Sequence, residues 1–391
     1  MSLDQASITA FIENSADSAI FDNVAKQLNL KNYEVIEGGV RNAIELYQEK
    51  KSPDYLVVDI SKSDLPSSDI TRLFEVCSPN VTIVVIGTKN EVSLYRDLTK
   101  LGIYEYLLSP LFPEILETTL QSIMTGKSKT EVAPTKTGKI IACMGARGGV
   151  GATFLASNVA AMLAGEKLRR VVLIDLDPYF GTFSLNFDLK ENIHLKEAFE
   201  NPGRIDQILI ERLLTPINER LYIFGSEESL SVKVDYNIEG LDEIIKYLKK
   251  QFHYIIIDIP HTFNDTVSKI IKKSNIFLFI TEPTVAGLRD TGRLLQFVNK
   301  EVTSHRCIVI LNKNGQYGEF DVDVGEFAKI LKNKVDHIIP YDTKISIEFL
   351  NQGKTMENEK NRIANSIRNI MFDILGTPQV QQKKSWFKKL F

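Results

Sequence analysis

A glycine-rich turn, Gly-Ala-Arg-Gly-Gly-Val-Gly-Ala-Thr-Phe at residues 145–154, holds the residue types best suited to binding a phosphate. It lies between an apolar, strand-like run at 139–144 and a helix-like run at 153–164. Glycines at 148, 149 and 151 let the backbone curl so that successive N–H groups point inward, and the following helix adds the positive end of its dipole. The turn therefore predicts a phosphate cradle.

One part of a standard phosphate-binding loop is missing from this turn. A P-loop carries a lysine directly before its Ser or Thr, where the amine reaches the β- and γ-phosphates. Here Ala152 precedes Thr153, and the cation of the segment is Arg147, on the other side of the glycines. Whether the turn is a working nucleotide site is thus the central question that the sequence raises.

Carboxylates end two later apolar runs: Asp175 and Asp177 follow residues 171–174, and Asp258 follows residues 254–257. Oxygen ligands are those that Mg²⁺ prefers, so these aspartates and the Thr153 hydroxyl could hold the metal and its waters. Each aspartate alone is a weak signal. In this order, after a glycine-rich turn, they predict a site for a nucleotide with Mg²⁺.

The rest of the sequence alternates short apolar runs with amphipathic stretches, which predicts an α/β fold with two doubly wound parallel sheets. We expect a (βα)5 domain at residues 1–124, a polar linker at 125–138, a second domain at 139–375 and a basic-aromatic tail at 376–391. Ligands of such sheets bind at the carboxyl ends of the strands, which is where the turn and the aspartates fall.

Composition narrows the classes of function. The 391 residues are 43% hydrophobic and carry a formal charge of −3, which argues against a general attraction to nucleic acid. Cys77, Cys143 and Cys307 each lie in an apolar run, as reduced core thiols do. The sequence shows no signal-peptide pattern and no uninterrupted apolar run of about 18 residues, so we expect a cytoplasmic protein.

The first domain resembles a response-regulator receiver. Asp59 stands in the place of the phosphoacceptor, but Ser109 replaces the lysine before Pro110, Gly87 replaces the switch Ser/Thr, and only Glu13 remains of the acidic pair. Phosphorylating a carboxylate requires a metal and a cation that offset the added charge. The resemblance therefore implies an atypical, unphosphorylated receiver used for docking; the alternative is a generic β/α domain with a strand-end aspartate.

The second domain resembles the ParA/MinD family of ATPases. Residues 147–153 are similar to the family's deviant Walker A pattern Lys-Gly-Gly-x-Gly-Lys-Thr, with Arg147 and Ala152 in place of its two lysines. The runs at 171–178 and 254–260 resemble its switch I and its Walker B with switch II. The resemblance implies ATP and Mg²⁺ as cofactors, with Thr153, Asp175 and Asp258 at the metal and Asp177 orienting the attacking water. The implied nucleotide contacts are Arg147, Gly148, Gly149, Val150, Gly151, Ala152, Thr153 and Phe154, then Asn312 facing the adenine, and Pro340 and Asp342 in the loop that flanks it.

The combination of domains resembles the TadZ/CpaE subfamily, which serves tight-adherence pilus assembly. This implies a homodimer held by ATP, in which Arg147 reaches the nucleotide of the partner, and a localisation factor whose receiver half docks pilus secretion machinery. Losing the lysine at position 152 removes a charge-assisted contact, so we expect ATP to bind but to be hydrolysed slowly.

The last residues suggest a second contact surface. Lys383, Lys384, Lys388 and Lys389 alternate with Trp386, Phe387, Leu390 and Phe391. Such a basic-aromatic segment is typical of helices that lie on an anionic membrane or pack on a partner, and it is similar to the membrane-targeting tail of MinD-type proteins. A frayed solubilising tail is the equally weighted alternative.

Two other functions stay open at this point. A ParA-type ATPase that partitions DNA or other cargo would need basic residues on the surface of the second domain, which the composition does not indicate. A two-component response regulator would need the receiver parts that Ser109 and Gly87 have replaced.

Overall fold

The computed structural model describes residues 7–125, 137–189, 207–225, 230–231, 238–301, 306–332 and 334–376. Two separate sheets organise these residues, which confirms the predicted α/β fold with two parallel-sheet domains. The basic-aromatic tail and most of the predicted linker lie outside the described residues, so the predictions about them stay predictions. Among the helices described, none has the length and apolar character needed to cross a membrane.

The N-terminal domain contains a parallel sheet with the strand order β2-β1-β3-β4-β5. Its strands are β1 (Ile8–Ile12), β2 (Tyr33–Glu37), β3 (Tyr55–Asp59), β4 (Thr82–Gly87) and β5 (Glu105–Leu108). The helices are α1 (Ser15–Gln27), α2 (Val40–Glu49), α3 (Pro66–Val76), α4 (Val92–Leu101) and α5 (Pro113–Met124). The strand order reverses between β1 and β3, so ligands of this fold type would bind beyond the carboxyl ends of those two strands.

The C-terminal domain contains a larger sheet with the order β13-β12-β11-β6-β10-β7-β9-β8, parallel except for the edge strand β8. Its strands are β6 (Lys139–Gly145), β7 (Val171–Asp175), β8 (Thr215–Pro216), β9 (Leu221–Phe224), β10 (Tyr254–Ile259), β11 (Ile276–Thr281), β12 (Arg306–Asn314) and β13 (His337–Pro340). Its described helices are α6 (Ala152–Gly165), α7 (Phe183–Asn186), α8 (Gln207–Leu213), α9 (Ile238–Gln251), α10 (Asp265–Lys273), α11 (Val285–Glu301), α12 (Val324–Leu331), α13 (Thr343–Asn351) and α14 (Arg362–Leu375).

Helix α6 is the most deeply packed helix of this domain. Every residue from Leu155 to Ala164 is buried, because the helix lies between the sheet and α14. A helix with apolar residues on all sides is stable only when it is covered in this way. The packing fixes the N-terminus of α6, and hence the glycine-rich turn, against the carboxyl ends of the strands.

Arginines join the two domains at the opposite end of the larger sheet. Arg220, only 8% exposed, donates hydrogen bonds to the carbonyl oxygens of Tyr47 and Gln48 at the end of α2 and of Val76 at the end of α3. Arg170 donates to the Ser78 hydroxyl at 3.0 Å. Helix C-termini carry partial negative charge, so buried cations are favourable there.

A loop of the C-terminal domain also packs against the core of the N-terminal domain. Leu168, between α6 and β7, packs against the buried cluster formed by the β-sheet, α2 and α3. Its carbonyl accepts a hydrogen bond from Arg220 at 2.8 Å. The two domains therefore share apolar and polar contacts across a built interface, far from the glycine-rich turn.

Candidate functional site

The glycine-rich turn and the predicted metal-binding aspartates meet at the carboxyl edge of the larger sheet. Strand β10 lies between β6 and β7, and Asp258 is in register with Asp175 on one side and with Cys143 on the other. The turn follows directly after β6. Adjacent parallel strands thus bring together residues that are more than 100 positions apart in the chain.

The backbone of the turn has the left-handed angles that the glycines allow. Gly149 has φ +79° and Gly151, the N-cap of α6, has φ +94°. Residues with a Cβ rarely adopt these angles. The turn is therefore curled as predicted, with the N-terminus of α6 at its end, and such a loop can present several N–H groups to one phosphate.

The Thr153 hydroxyl donates a 2.6 Å hydrogen bond to Asp258, so two of the three predicted metal ligands are already in contact. Asp175 and Asp258 are 5% and 7% exposed. Burial raises the pKa of Asp258 to about 7, and burial together with the nearby Asp258 raises the pKa of Asp175 to about 8. Raised pKa values of this kind are typical of buried carboxylates that have no positive charge beside them.

These residues fit Mg²⁺. A hydroxyl and two desolvated carboxylates are hard oxygen donors, and Mg²⁺ in nucleotide sites usually takes only one or two carboxylates and keeps several waters. The described residues contain no cluster of three or more His, Cys, Asp and Glu side chains, as a dedicated protein cage would have. When bound, Mg²⁺ would neutralise phosphate charge; Thr153, Asp175 and Asp258 would hold it.

Asp177 occupies the beginning of the segment after β7. Its Oδ1 accepts hydrogen bonds from the backbone N–H groups of Tyr179 at 3.2 Å and Phe180 at 2.9 Å, while its own N–H donates to Asp175. The carboxylate is thus oriented by the turn that it closes. Its predicted role, orienting the attacking water, stays a prediction.

Arg147 points away from the cradle. Its Nη1 lies 2.9 Å from Oδ2 of Asp290, on α11, and Arg289 contacts the other oxygen of the same carboxylate. Asp290 is a residue whose role the sequence did not predict. The predicted role of Arg147 across a dimer stays a prediction.

A cavity of about 590 Å³ adjoins this ion pair on the outer side of the turn. Its charged and polar side chains are Arg147, His261, Arg289, Asp290 and Arg293. The edge-to-face pair Phe263 and Phe297, whose ring centroids are 4.8 Å apart, also lines it. The face beside the turn therefore combines positive charge with exposed aromatic surface.

The predicted adenine residue Asn312 contacts the turn itself. Its Nδ2 donates to the carbonyl of Val150 at 2.8 Å, and its Oδ1 accepts from the N–H of Lys313. Lys313 in turn donates from Nζ to the carbonyl of Gly149 at 2.7 Å. The amide of Asn312 keeps one hydrogen and one lone pair for other partners, and its contact with adenine stays a prediction.

Pro340 and Asp342 lie at the end of the neighbouring strand. Pro340 is in register with Asn314, two residues beyond Asn312. The Asp342 carboxylate caps α13 through the N–H of Ile345 and pairs with Arg362 at 2.9 Å. Asp342 thus stabilises the loop that flanks the site. Ala152 and Phe154, at the start of α6, are partly buried and pack against the edge of the buried cluster beneath the turn.

The crevice of the N-terminal domain has a different character. Asp59 is 2% exposed and accepts hydrogen bonds from the N–H groups of Ser61 at 2.8 Å and Glu13 at 3.3 Å. Lys62 pairs with Glu13, and Ser109 donates its hydroxyl hydrogen to the buried Asp17. Backbone N–H groups thus satisfy both carboxylate oxygens of Asp59. Ser109, in place of the receiver lysine, contacts Asp17.

The Tyr106 ring occupies the space beside Gly87, the residue at the position of the receiver switch Ser/Thr. A Cβ at position 87 would lie 2.5 Å from the Tyr106 hydroxyl, so Gly87 cannot be replaced by Ser or Thr without a shift of the ring. The hydroxyl donates to the carbonyl of Lys89 at 2.9 Å. The expectation of an unphosphorylated domain stays a prediction.

Comparison with known proteins finds similarities across the C-terminal domain. Residues 138–312 match a family model described as an AAA domain. The septum site-determining protein MinD of Bacillus subtilis (strain 168) is 24% identical over 249 residues, covering 61% of this chain and 90% of the relative.

Solved structures share the fold of the C-terminal domain. A ParA family ATPase from Chlorobium tepidum TLS has a TM-score of 0.55 at 20% identity, covering 61% of this chain and 98% of that chain. MinD from Pyrococcus horikoshii OT3, in complex with Mg-ADP, has a TM-score of 0.51 at 21% identity, covering 61% and 96%. The larger sheet and its turn therefore form a ParA/MinD-like P-loop fold.

Proposed function

We propose that this protein binds ATP with Mg²⁺ and switches between monomer and homodimer according to the nucleotide it holds. The observation that carries the proposal is the assembled edge of the larger sheet, where the curled turn, Thr153 and Asp258 meet while Arg147 lies outside the cradle. The P-loop fold and the Mg-ADP complex of the Pyrococcus relative support the choice of ligand.

We further propose that the dimer is a localisation factor for tight-adherence pilus assembly, with the N-terminal domain docking the secretion machinery. The support is the pairing of a receiver-like sheet with a ParA/MinD-like domain in one chain. The Asp59 crevice, closed by backbone contacts, is consistent with docking rather than phosphotransfer. The protein would act in the cytoplasm, at the cell pole, with the tail at the inner face of the membrane.

Arg147→Ala is expected to abolish dimerisation by ATP and to leave ADP affinity within about twofold. In the proposed dimer Arg147 reaches the nucleotide of the partner, and its loss would remove that contact. Its side chain pairs here with Asp290, so the phosphate loop should keep its shape. Molar mass in solution with ATP, ADP and no nucleotide would measure the switch, and ADP titration would measure binding.

Arg212→Ala serves as the control for Arg147, because Arg212 is an exposed arginine on α8 of the same domain. It should behave as the unchanged protein does. If the molar mass of the unchanged protein were the same with ATP, with ADP and without nucleotide, the switch would be contradicted. An Arg147→Ala protein that still dimerises with ATP would contradict the role of Arg147.

Ala152→Lys is expected to strengthen ATP binding by about tenfold and to raise the rate of phosphate release. The new amine would add one charge-assisted contact, worth about 1.5–3 kcal/mol, and would neutralise charge that develops on the γ-phosphate. Nucleotide titration and single-turnover phosphate release would check both effects. Unchanged hydrolysis with tighter binding would mean that Ala152 does not limit the chemistry.

A further inference from the structure

Strand β12 contacts the phosphate loop through two consecutive side chains. Asn312 Nδ2 donates to the Val150 carbonyl at 2.8 Å, and Lys313 Nζ donates to the Gly149 carbonyl at 2.7 Å. These carbonyls belong to neighbouring peptide groups of the turn. The end of β12 thus binds two successive carbonyl groups of the turn.

Lys313 reaches this position through an unusual backbone. Its φ is +57°, and the pairing of β12 with β13 shifts register between Leu311 and Asn314. A non-glycine residue in the left-handed region costs free energy and persists only where surrounding contacts fix it. The Asn312 Oδ1 accepts the Lys313 N–H at 2.8 Å, which ties the irregular backbone to the side chain that holds the turn.

The two contacts determine which way the turn presents its donors. In a trans peptide the C=O and N–H point in opposite directions. The carbonyls of Gly149 and Val150 point toward the end of β12. The N–H groups of Val150 and Gly151, in the same two peptide groups, therefore point away from β12. These N–H groups are the kind that cradle the phosphates of a nucleotide in such loops.

We propose that Lys313 is a positioning residue for the phosphate cradle, and that it supplies from β12 part of what the absent lysine at position 152 would supply from within the loop. It orders the Val150 N–H and places a positive charge beside the turn. The inference rests on the proposed function, because it concerns how the same site binds the β-phosphate of a nucleotide.

The test compares three full-length variants by titration with ADP and with AMP. Lys313→Met keeps an unbranched side chain at the strained backbone but removes the donor and the charge. Lys313→Arg restores both. Lys332→Met is the matched control, since Lys332 is an exposed lysine that also has a positive φ, +49°, at the C-cap of α12.

Lys313→Met is expected to weaken ADP binding by about tenfold while AMP binding changes less than about twofold, since AMP lacks the β-phosphate. Lys313→Arg should stay within about threefold of the unchanged protein, and Lys332→Met should be unaffected. The thermal midpoint of each ligand-free variant should match that of the unchanged protein, because the Lys313 contact is at the surface.

Equal weakening of ADP and AMP would overturn the proposal, since Lys313 would then act on the nucleoside or on the fold. Unchanged ADP affinity in Lys313→Met would overturn it as well. Neither result affects the proposed nucleotide binding, which fails if the unchanged protein binds neither ADP nor ATP; that outcome would remove both proposals.

Discussion

Replacing Arg220 by alanine is expected to lower the free energy of unfolding by about 3 kcal/mol. The Arg220 side chain is buried and donates to four carbonyl oxygens, those of Tyr47, Gln48, Val76 and Leu168. Alanine leaves these acceptors without their donor in a site that is closed to water. An unsatisfied buried acceptor costs about 1–3 kcal/mol, partly relieved where water can enter the space left by the side chain.

Arg220→Lys is expected to recover only part of the loss. The compact ammonium has three donors, whereas the planar guanidinium has five in a fixed fork that spans the ends of α2 and α3. Urea unfolding followed by circular dichroism would measure all variants, with the exposed Arg212→Ala as the control. A loss no larger for Arg220→Ala than for Arg212→Ala would show that the arginine contacts do not hold the domains together.

Substituting Gly151 by alanine is expected to weaken nucleotide binding by about a hundredfold. Gly151 has φ +94°, where a Cβ costs about 1–2 kcal/mol. The added Cβ would also lie 2.6 Å from Nδ2 of Asn312, so the hydrogen bond from Asn312 to Val150 must break or move. Strain and the lost contact act on the same loop and together account for the hundredfold effect.

Gly148→Ala is the matched control in the same loop. A Cβ at position 148 would meet no atom within 4 Å, and the residue has no positive φ. ADP affinity should therefore change by less than about threefold. If Gly148→Ala and Gly151→Ala had equal effects on ADP titration, the backbone angle at Gly151 would not be what shapes the cradle.

Local sequence determined the elements and the chemistry of the candidate site. The apolar runs at 171–174 and 254–257 predict buried strands, since short runs rich in Val and Ile between polar segments favour them, and both lie within strands of the structure. The aspartates at 175, 177 and 258 and the glycines of the turn were predicted as site residues from residue type and order alone.

The ends of elements were less predictable from sequence. The apolar run at 307–311 predicts a strand, but β12 extends to Asn314, through Lys313 with its positive φ. Propensity gives no reason to continue a strand through Asn-Lys-Asn before glycine. The pairing of Asn314 with Pro340 and the contacts to the turn hold this extension, and both come from residues distant in the chain.

The sequence by itself determined that this protein has two parallel-sheet domains and a phosphate-binding turn without its lysine. Tertiary structure alone decided which partners its cations have: Asp290 for Arg147, the Gly149 carbonyl for Lys313, and the ends of α2 and α3 for Arg220. The physical reason is that strand patterns and glycine angles are local properties, whereas the partner of a long charged side chain depends on which distant elements the fold places within its reach.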